Sequence, residues 1–213
     1  GFISTHSYAG KMINAPTLWS KELGVVIGWL IGDGCMTRKS TTSVGFTFGK
    51  DEEGIEGLKY ISSHMKEWFS KGCMSVRSRA IQLTFGRSVA EFFSTLGVMD
   101  YKSATKRVPE SIFSAPKEAI IGFLQGLFSA DGSVQTSFEK KACSVRLSSS
   151  SELLLRDVQL LLINLGIISS IRLRRKSGET YLPDSKGVQK KYKTSAQYEL
   201  IIDADGRNMF SEK

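Results

Sequence analysis

The sequence predicts an α+β fold made of two similar halves, each running α-β-β-α-β-β and followed by a closing helix. Two observations support this. A nine-residue segment containing Asp33 recurs around Asp131, 98 positions later. After each copy, strand-like alternation and helix-like periodicity follow in the same order. The chain of 213 residues is long enough for two halves of about 100 residues. We expect the two halves to be related by a pseudo-twofold axis, with antiparallel sheets forming a saddle on a central helix pair.

The repeated segment reads VIGWLIGDG at 26–34 and LQGLFSADG at 124–132. Small residues precede each aspartate at intervals of four, which places them on one helix face. They are Gly24, Gly28 and Gly32 in the first copy, and Gly122, Gly126 and Ala130 in the second. Glycine inside a helix is destabilising, so we expect these glycines to have a structural role. That role is close packing of the two helices through these faces. The glycine after each aspartate should let the chain leave the helix.

The remaining elements follow the same periodicities. In the first half we predict strands over 35–40 and 44–48, a helix over 55–69, strands over 74–79 and 81–85, and a helix over 89–96. In the second half we predict strands over 133–139 and 142–147, a helix over 152–165, and strands over 167–176 and 197–202. The predicted divisions are an N-terminal extension (1–22), a first repeat (23–100), a linker (101–116) and a second repeat (117–213) whose closing helix is cut short.

Composition excludes several classes of protein. Three cysteines and two histidines give no basis for a disulfide framework, a zinc site or a histidine-centred triad. We see no membrane span and no secretory leader, so we expect an intracellular protein. The net charge is +8, and the segment 172–193 holds eight basic residues against two acidic ones. Such a concentration favours a nucleic acid, then an anionic membrane surface, while a solvated loop is the unremarkable alternative.

Asp33 and Asp131 are the candidate metal ligands. If the repeated helices pack side by side, both carboxylates lie at helix C-termini, where negative charge is unfavourable. A divalent cation relieves this repulsion, and two carboxylates suit Mg²⁺, with the backbone carbonyls of Gly32 and Ala130 as further ligands. A single Asp-Gly after a helix is usually a capping turn, but two copies in register favour a site. Ile202–Gly206 also spells an Asp-Ala-Asp-Gly turn, which we interpret as the exit from a strand.

The paired segments resemble the motifs of the LAGLIDADG homing endonucleases in their single-chain, two-motif form. The flanking blocks at 106–112, 147–152 and 160–168 are similar to those of intein-borne members. Gly1 stands where an intein has a cysteine or serine nucleophile, and no terminal His-Asn follows, so we expect the endonuclease part alone without self-splicing.

The resemblance implies a monomeric, metal-dependent hydrolase that cuts one phosphodiester in each strand of a long, specific double-stranded DNA site and leaves short 3′ overhangs. Mg²⁺ is the expected cofactor, with Mn²⁺ substituting and Ca²⁺ binding without cleavage. Lys106 and Lys193 are the expected lysines near the attacking water, against the alternative of solvated surface amines. Cytoplasm or nucleoid is the expected location, with an organelle as the alternative. The alternative function is a non-cleaving DNA- or RNA-binding protein, either a maturase or a regulator, on the same scaffold.

Strand parity predicts the DNA contacts, because alternate residues face opposite sides of a sheet. Apolar residues at Met74, Val76, Val134 and Leu173 are expected to face the helices, which turns polar neighbours outward. The predicted DNA-binding residues are Thr37, Lys39, Arg77, Arg79, Gln135, Ser137, Arg146, Arg172, Arg174, Lys176, Lys190 and Lys191. Arginine pairs with guanine and glutamine with adenine in the major groove. The alternative is the ordinary polar side of an exposed sheet.

Overall fold

The computed structural model describes residues 14–38, 42–69, 72–137, 142–183 and 189–202, together with Gly206 and Phe210. The chain divides into two compact units. The first contains residues up to 101 and 108–132, and the second contains 102–107 and the residues from 133 onward. The predicted closing helix falls largely outside the described residues, as do positions 203–205 of the Asp-Ala-Asp-Gly turn.

The described residues of the first unit form five α-helices and one four-stranded antiparallel sheet. The helices are α1 (Lys21–Asp33), α2 (Glu52–Phe69), α3 (Arg87–Thr95), α4 (Glu110–Phe113) and α5 (Lys117–Asp131). The strands are β1 (Gly34–Arg38), β2 (Thr42–Phe48), β3 (Cys73–Val76) and β4 (Ile81–Phe85), in the order β1-β2-β4-β3. α5 opens the second repeat in sequence but lies in this unit because it packs along α1.

The described residues of the second unit include one long helix, a four-stranded antiparallel sheet and a separate hairpin. Its elements are β5 (Gly132–Ser137), β6 (Ala142–Ser149), α6 (Glu152–Asn164), β7 (Ser170–Arg175), β8 (Gly178–Pro183), β9 (Gln189–Thr194) and β10 (Gln197–Ile202). The sheet order is β5-β6-β10-β7, and β8 pairs with β9. Both four-stranded sheets therefore place their first, second, fourth and third strands in that order. The predicted α+β class with antiparallel sheets is confirmed.

Local sequence explains where the helices begin and what they cover. The hydroxyls of Ser20 and Ser151 accept hydrogen bonds from the backbone N–H of Leu23 and Leu154, which caps α1 and α6. In the first unit, aromatic residues dominate the core, including Phe46, Phe48, Phe92 and Phe93, each at most 1% exposed. In the second unit, Leu147, Leu154, Leu155, Leu200 and Ile202 form the buried cluster. No described helix is long and apolar enough to cross a membrane.

The hairpin β8–β9 was not predicted. It is inserted between the third and fourth strands of the second sheet, where the first sheet has only a tight turn in which Arg77 N–H donates to the Ala80 carbonyl. A strand over 74–79 is therefore wrong in its second half, because β3 ends at Val76. Arg77 and Arg79 lie in this turn and are exposed.

The expected burial of alternate residues is wrong on three strands. Met74, Val76, Val134 and Leu173 were expected to face the helices, yet they are 53%, 66%, 66% and 49% exposed. Each lies on β3, β5 or β7, which are the outermost strands of their sheets. An edge strand has a neighbour on one side only, so it receives less cover than the central strands, where Leu83 and Leu200 are buried.

Candidate active site and nucleic-acid interface

α1 and α5 pack backbone to backbone through their small-residue faces. A Cβ atom on Gly28 would lie 2.7 Å from the amide nitrogen of Leu127 and would collide with the carbonyl oxygen of Phe123. A Cβ on Gly24 would lie 2.9 Å from the Phe123 amide nitrogen, and one on Gly126 would collide with the Val25 carbonyl oxygen. Any larger residue would therefore push the helices apart, which explains why glycine is used here despite its cost inside a helix.

The two helices run in the same direction and end side by side. Contacts advance together along both, from Gly24 near Ala119 to Gly32 near Ala130. At the end of the pair, a Cβ on Gly32 would lie 2.7 Å from the Ala130 Cβ and 3.4 Å from Oδ2 of Asp131. The Asp131 carboxylate therefore lies against the turn that ends in Asp33. Each helix therefore ends in one aspartate, Asp33 from the first repeat and Asp131 from the second.

The glycines that follow these aspartates are required by space. Gly34 and Gly132 have ordinary negative φ values of −104° and −82°. A Cβ on Gly132 would collide with the Phe128 carbonyl oxygen, and one on Gly34 would collide with that of Leu30. The chain thus passes directly from helix to strand at both aspartates.

The electrostatics at this end of the helix pair favour a cation. Parallel helices add the negative ends of their dipoles, and neither α1 nor α5 carries a basic residue in its last turn. Asp33 is exposed and Asp131 is half-buried. The described residues contain no group of three or more histidine, cysteine, aspartate or glutamate side chains that could hold a metal. Two carboxylates and nearby carbonyls, completed by water and phosphate oxygens, form a sparse oxygen donor set that fits a hard divalent cation.

Lys106 lies in the second unit, on a segment that is tied to α6. The Ser151 hydroxyl donates to the Lys106 carbonyl oxygen at 2.7 Å. The neighbouring Arg107 donates from Nε and Nη2 to Oδ2 and Oδ1 of Asp157, at 2.5 and 2.8 Å. Asp157 is only 4% exposed. This ion pair was not predicted, although an aspartate inside the apolar face of α6, between Leu155 and Val158, was a signal of a buried partner.

Lys190, Lys191 and Lys193 lie on the inserted hairpin and are exposed. Lys191 forms an ion pair with Glu179 at 2.6 Å, and Lys193 lies opposite Glu179 in the register of β8 and β9. Lys193 was predicted to lie near the attacking water, and this role stays a prediction. The hairpin presents its cations on a two-stranded ribbon rather than in a loop.

The predicted DNA contacts are distributed unequally over the two sheets. Thr37 is half-buried on β1 and lies opposite Ser43 in the register of β1 and β2. In the second unit Gln135, Arg172, Arg174 and Lys176 are exposed. Lys39 and the side chain of Ser137 lie outside the described residues.

Arg146 is more buried than predicted, because it pairs with Glu199, which is not among the predicted site residues. Its Nη1 donates to Oε2 of Glu199 at 3.0 Å, and Arg174 Nη1 lies 3.8 Å from Oε1 of the same carboxylate. The strand parity of β10 was the available signal, since Glu199 alternates with the buried Leu200.

A cleft of 650 Å³ lies elsewhere in the first unit, between α1, α2 and α5. Trp29, Glu53, Glu56 and Tyr60 are among its lining residues. Burial, followed by the negative charge of Glu22, raises the pKa of the Tyr60 hydroxyl. This cleft has no predicted site residue among those that line it.

Comparison with known proteins shows which families and structures this architecture is similar to. Residues 118–213 match a family model described as a LAGLIDADG-like domain. The chain carries a LAGLIDADG-like domain. The structure of the homing endonuclease I-DmoI superposes with a TM-score of 0.58 at 18% identity, covering 90% of this chain and 93% of that chain. DUF199/WhiA from Thermatoga maritima superposes with a TM-score of 0.54 at 17% identity, covering 93% of this chain and 57% of that chain. About nine tenths of the chain thus share a fold with these two structures.

The sequence relatives of this chain are much longer proteins. They include a ribonucleoside-diphosphate reductase subunit alpha of Bacillus subtilis, 38% identical over 110 residues, or 51% of this chain and 10% of the relative. A DNA polymerase of Thermococcus hydrothermalis is 35% identical over 160 residues, or 70% and 9%. A replicative DNA helicase DnaB of Rhodothermus marinus is 30% identical over 199 residues, or 88% and 20%. The chain therefore spans between about a tenth and a fifth of the length of these relatives.

Proposed function

We propose that this chain is a site-specific endonuclease that hydrolyses one phosphodiester in each strand of double-stranded DNA. The observation that carries the proposal is the pair Asp33 and Asp131 at the adjoining ends of two parallel helices, one from each repeat. Two acids in repeated settings match a reaction performed twice, once on each antiparallel strand. A protein that only bound DNA would have no use for two carboxylates at this point, because they repel phosphate.

The chain's own residues hold and orient the reacting groups. Asp33 and Asp131, with the carbonyls of Gly32 and Ala130, would hold the divalent cation. Mg²⁺ bound there supplies an activated water and neutralises charge that develops on the phosphate. The glycine contacts of α1 and α5 keep the two carboxylates at a fixed separation. Lys106, on the segment clamped by Ser151 and Asp157, is the proposed side chain that contacts the attacking water.

DNA binding in this proposal uses both sheets and the hairpin. Exposed arginines of β7 and the lysines of β9 supply positive charge for phosphates and bases. Structures of I-DmoI, which shares the fold, were determined with its target DNA in the presence of Mn, and with DNA and Ca. This likeness supports the proposed partner and cofactor class. We propose that the chain acts as a monomer on a long target site inside the cell.

The relatives also support an origin as an inserted segment. A reductase, a polymerase and a helicase share no reaction, yet each matches this chain over a small part of its length. A segment that resides in unrelated enzymes is expected of an intein-borne endonuclease. Sequencing the flanks of the coding region tests this, since an interrupted host gene on both sides is the expected result.

Cleavage is tested with the variants Asp33→Asn and Asp131→Asn, which remove charge from the proposed metal site and keep the size of each side chain. Each should abolish linearisation of a random-site plasmid library in Mg²⁺ while leaving DNA binding in Ca²⁺ largely intact. Asp100→Asn, at an exposed position outside the helix pair, is the matched control. A single variant that still linearises plasmid at the parent rate would overturn the site.

The second candidate function is DNA binding without cleavage, and the similarity to DUF199/WhiA is the observation that favours it. The same assay separates the two functions. If the parent and both variants alike bind DNA without nicking it in Mg²⁺ or Mn²⁺, the result would favour DNA binding without cleavage.

A further inference from the structure

Glu199 lies at the centre of the arginine-rich face of the second sheet. In the register of the sheet it is opposite Ser148 on β6 and Arg172 on β7. Its side chain is only 12% exposed and contacts two arginines, Arg146 and Arg174. A carboxylate on a surface that binds DNA opposes binding of any phosphate, so its presence there needs a different explanation.

The contacts of Arg146 supply that explanation. Its Nη1 donates to Glu199 and its Nε donates to the Ser144 hydroxyl, both at 3.0 Å. Of the five guanidinium N–H donors, these bonds, within the described part of the chain, use two and leave three. The guanidinium plane is held from two sides before any ligand arrives, so binding need not pay to order a long side chain. An arginine fixed in this way suits bidentate contact with N7 and O6 of guanine.

Among the described residues, the first sheet has no arginine held by a glutamate on its two central strands, β2 and β4. On β4, which holds the place of β10 in the strand order, Gln82 lies opposite Thr47 and Ser75. Gly45 lies two residues before Thr47, as Arg146 lies two residues before Ser148, the residue opposite Glu199. The two sheets therefore share one strand order, but the second carries a fixed arginine here, whereas the first carries neutral amide and hydroxyl groups.

We propose that Glu199 is a positioning residue that fixes Arg146 for guanine recognition, so that the half-site bound by the second sheet requires a guanine that the other half-site does not. This inference rests on the proposed binding of double-stranded DNA. It assigns to Glu199 a role in sequence preference rather than in affinity. Glu199 should lower affinity for arbitrary DNA while raising discrimination at one base pair.

The test is selection of bound sequences from a pool of random-sequence DNA duplexes in Ca²⁺, followed by affinity for one fixed duplex of arbitrary sequence. The parent should enrich guanine at one position by about fivefold or more over other bases. Glu199→Gln places the first sheet's residue in the second sheet. It should reduce that preference to less than about twofold at this position alone, and bind the arbitrary duplex at least as tightly.

Two further variants test whether the pairing of Glu199 with Arg146 is responsible for the guanine preference. Arg146→Gln retains Glu199 and should lose the preference for the same guanine. This variant serves as a test even where Glu199→Gln is unstable. Glu152→Gln breaks a glutamate–arginine pair with Arg156 on the surface of α6 and should leave the selected sequence unchanged. Enrichment of the same guanine by Glu199→Gln or Arg146→Gln, or an equal loss at every position, would overturn the role of Glu199. A parent that enriches no sequence would instead contradict the proposed function.

Discussion

At the scale of single residues, the first turn of α1 contains a carboxylate that hydrogen bonds hold in its charged form. The pKa of Glu22 is lowered, first by a hydrogen bond from its backbone N–H and then by one from the Ser20 hydroxyl. The helix dipole favours a negative charge at this end as well. Because the folded state favours the ionised form, this charge stabilises the fold above the pKa of the unfolded chain, and the contribution is lost as the pH falls through the folded pKa.

Glu22→Gln should therefore lower the melting temperature at neutral pH, and the difference from the parent should shrink as the solution becomes more acidic. Thermal melts at neutral and at strongly acidic pH measure it. In a Ser20→Ala background, which removes one of the two hydrogen bonds, the effect of Glu22→Gln should be smaller. An equal difference from the parent at both pH values would contradict the hydrogen-bond account.

At the scale of elements, the α1–α5 pair joins stability to the candidate active site. The helices touch through backbone atoms at Gly28, so a side chain there has no space to occupy. The same contacts determine how far apart Asp33 and Asp131 lie. A change in the middle of the pair therefore acts on the fold and on the carboxylates together.

Gly28→Val should destabilise the protein by about 1–3 kcal/mol or more and lower the cleavage rate, since a displacement near 1 Å costs about 10²-fold. Gly178→Ala, where a Cβ would meet nothing within 4 Å, is the control for an added side chain. Ala130→Ser should be milder, because that position already carries a Cβ. Melting temperature and plasmid cleavage are the measurements, and parent-like values of both for Gly28→Val would contradict the packing.

At the scale of the whole molecule, the positive charge is concentrated in the part of the sequence where the two repeats differ. The inserted hairpin carries Lys190, Lys191 and Lys193, while Glu179 offsets part of their charge. An isolated two-stranded ribbon is marginally stable in water, and a polyanion that contacts these lysines would stabilise it. The proposed interaction with DNA would therefore be unequal between the two repeats.

Replacing Lys190 and Lys191 together by alanine should flatten the dependence of log binding constant on log salt concentration by roughly one to two units, because each phosphate contact contributes about −0.9. Equilibrium binding to a fixed duplex at several salt concentrations measures the slope. Replacing Lys59 and Lys66, on the exposed side of α2, is the control. An unchanged slope in the hairpin variant would assign these lysines to a solvated ribbon.

The sequence by itself determined the order of the elements that the two repeats share, though not α4 or the hairpin β8–β9, and the spacing of the small residues on α1 and α5. These are local patterns, since a period of four along one segment specifies a helix face without knowledge of its neighbours. The duplicated Asp33 and Asp131 were visible for the same reason. Burial on β3, β5 and β7 was mispredicted, because alternation does not reveal whether a strand lies at the edge of a sheet.

Only the tertiary structure decided which charged groups meet. Arg146 and Glu199 are 53 positions apart, and Arg107 and Asp157 are 50 apart. Neither pair belongs to a periodic pattern, and each forms only after strands or helices from distant segments have packed. The same holds for the hairpin β8–β9, whose basic sequence is equally compatible with a loop. Local periodicity sets secondary structure, whereas the pairing of charges depends on distances that exist only in the folded chain.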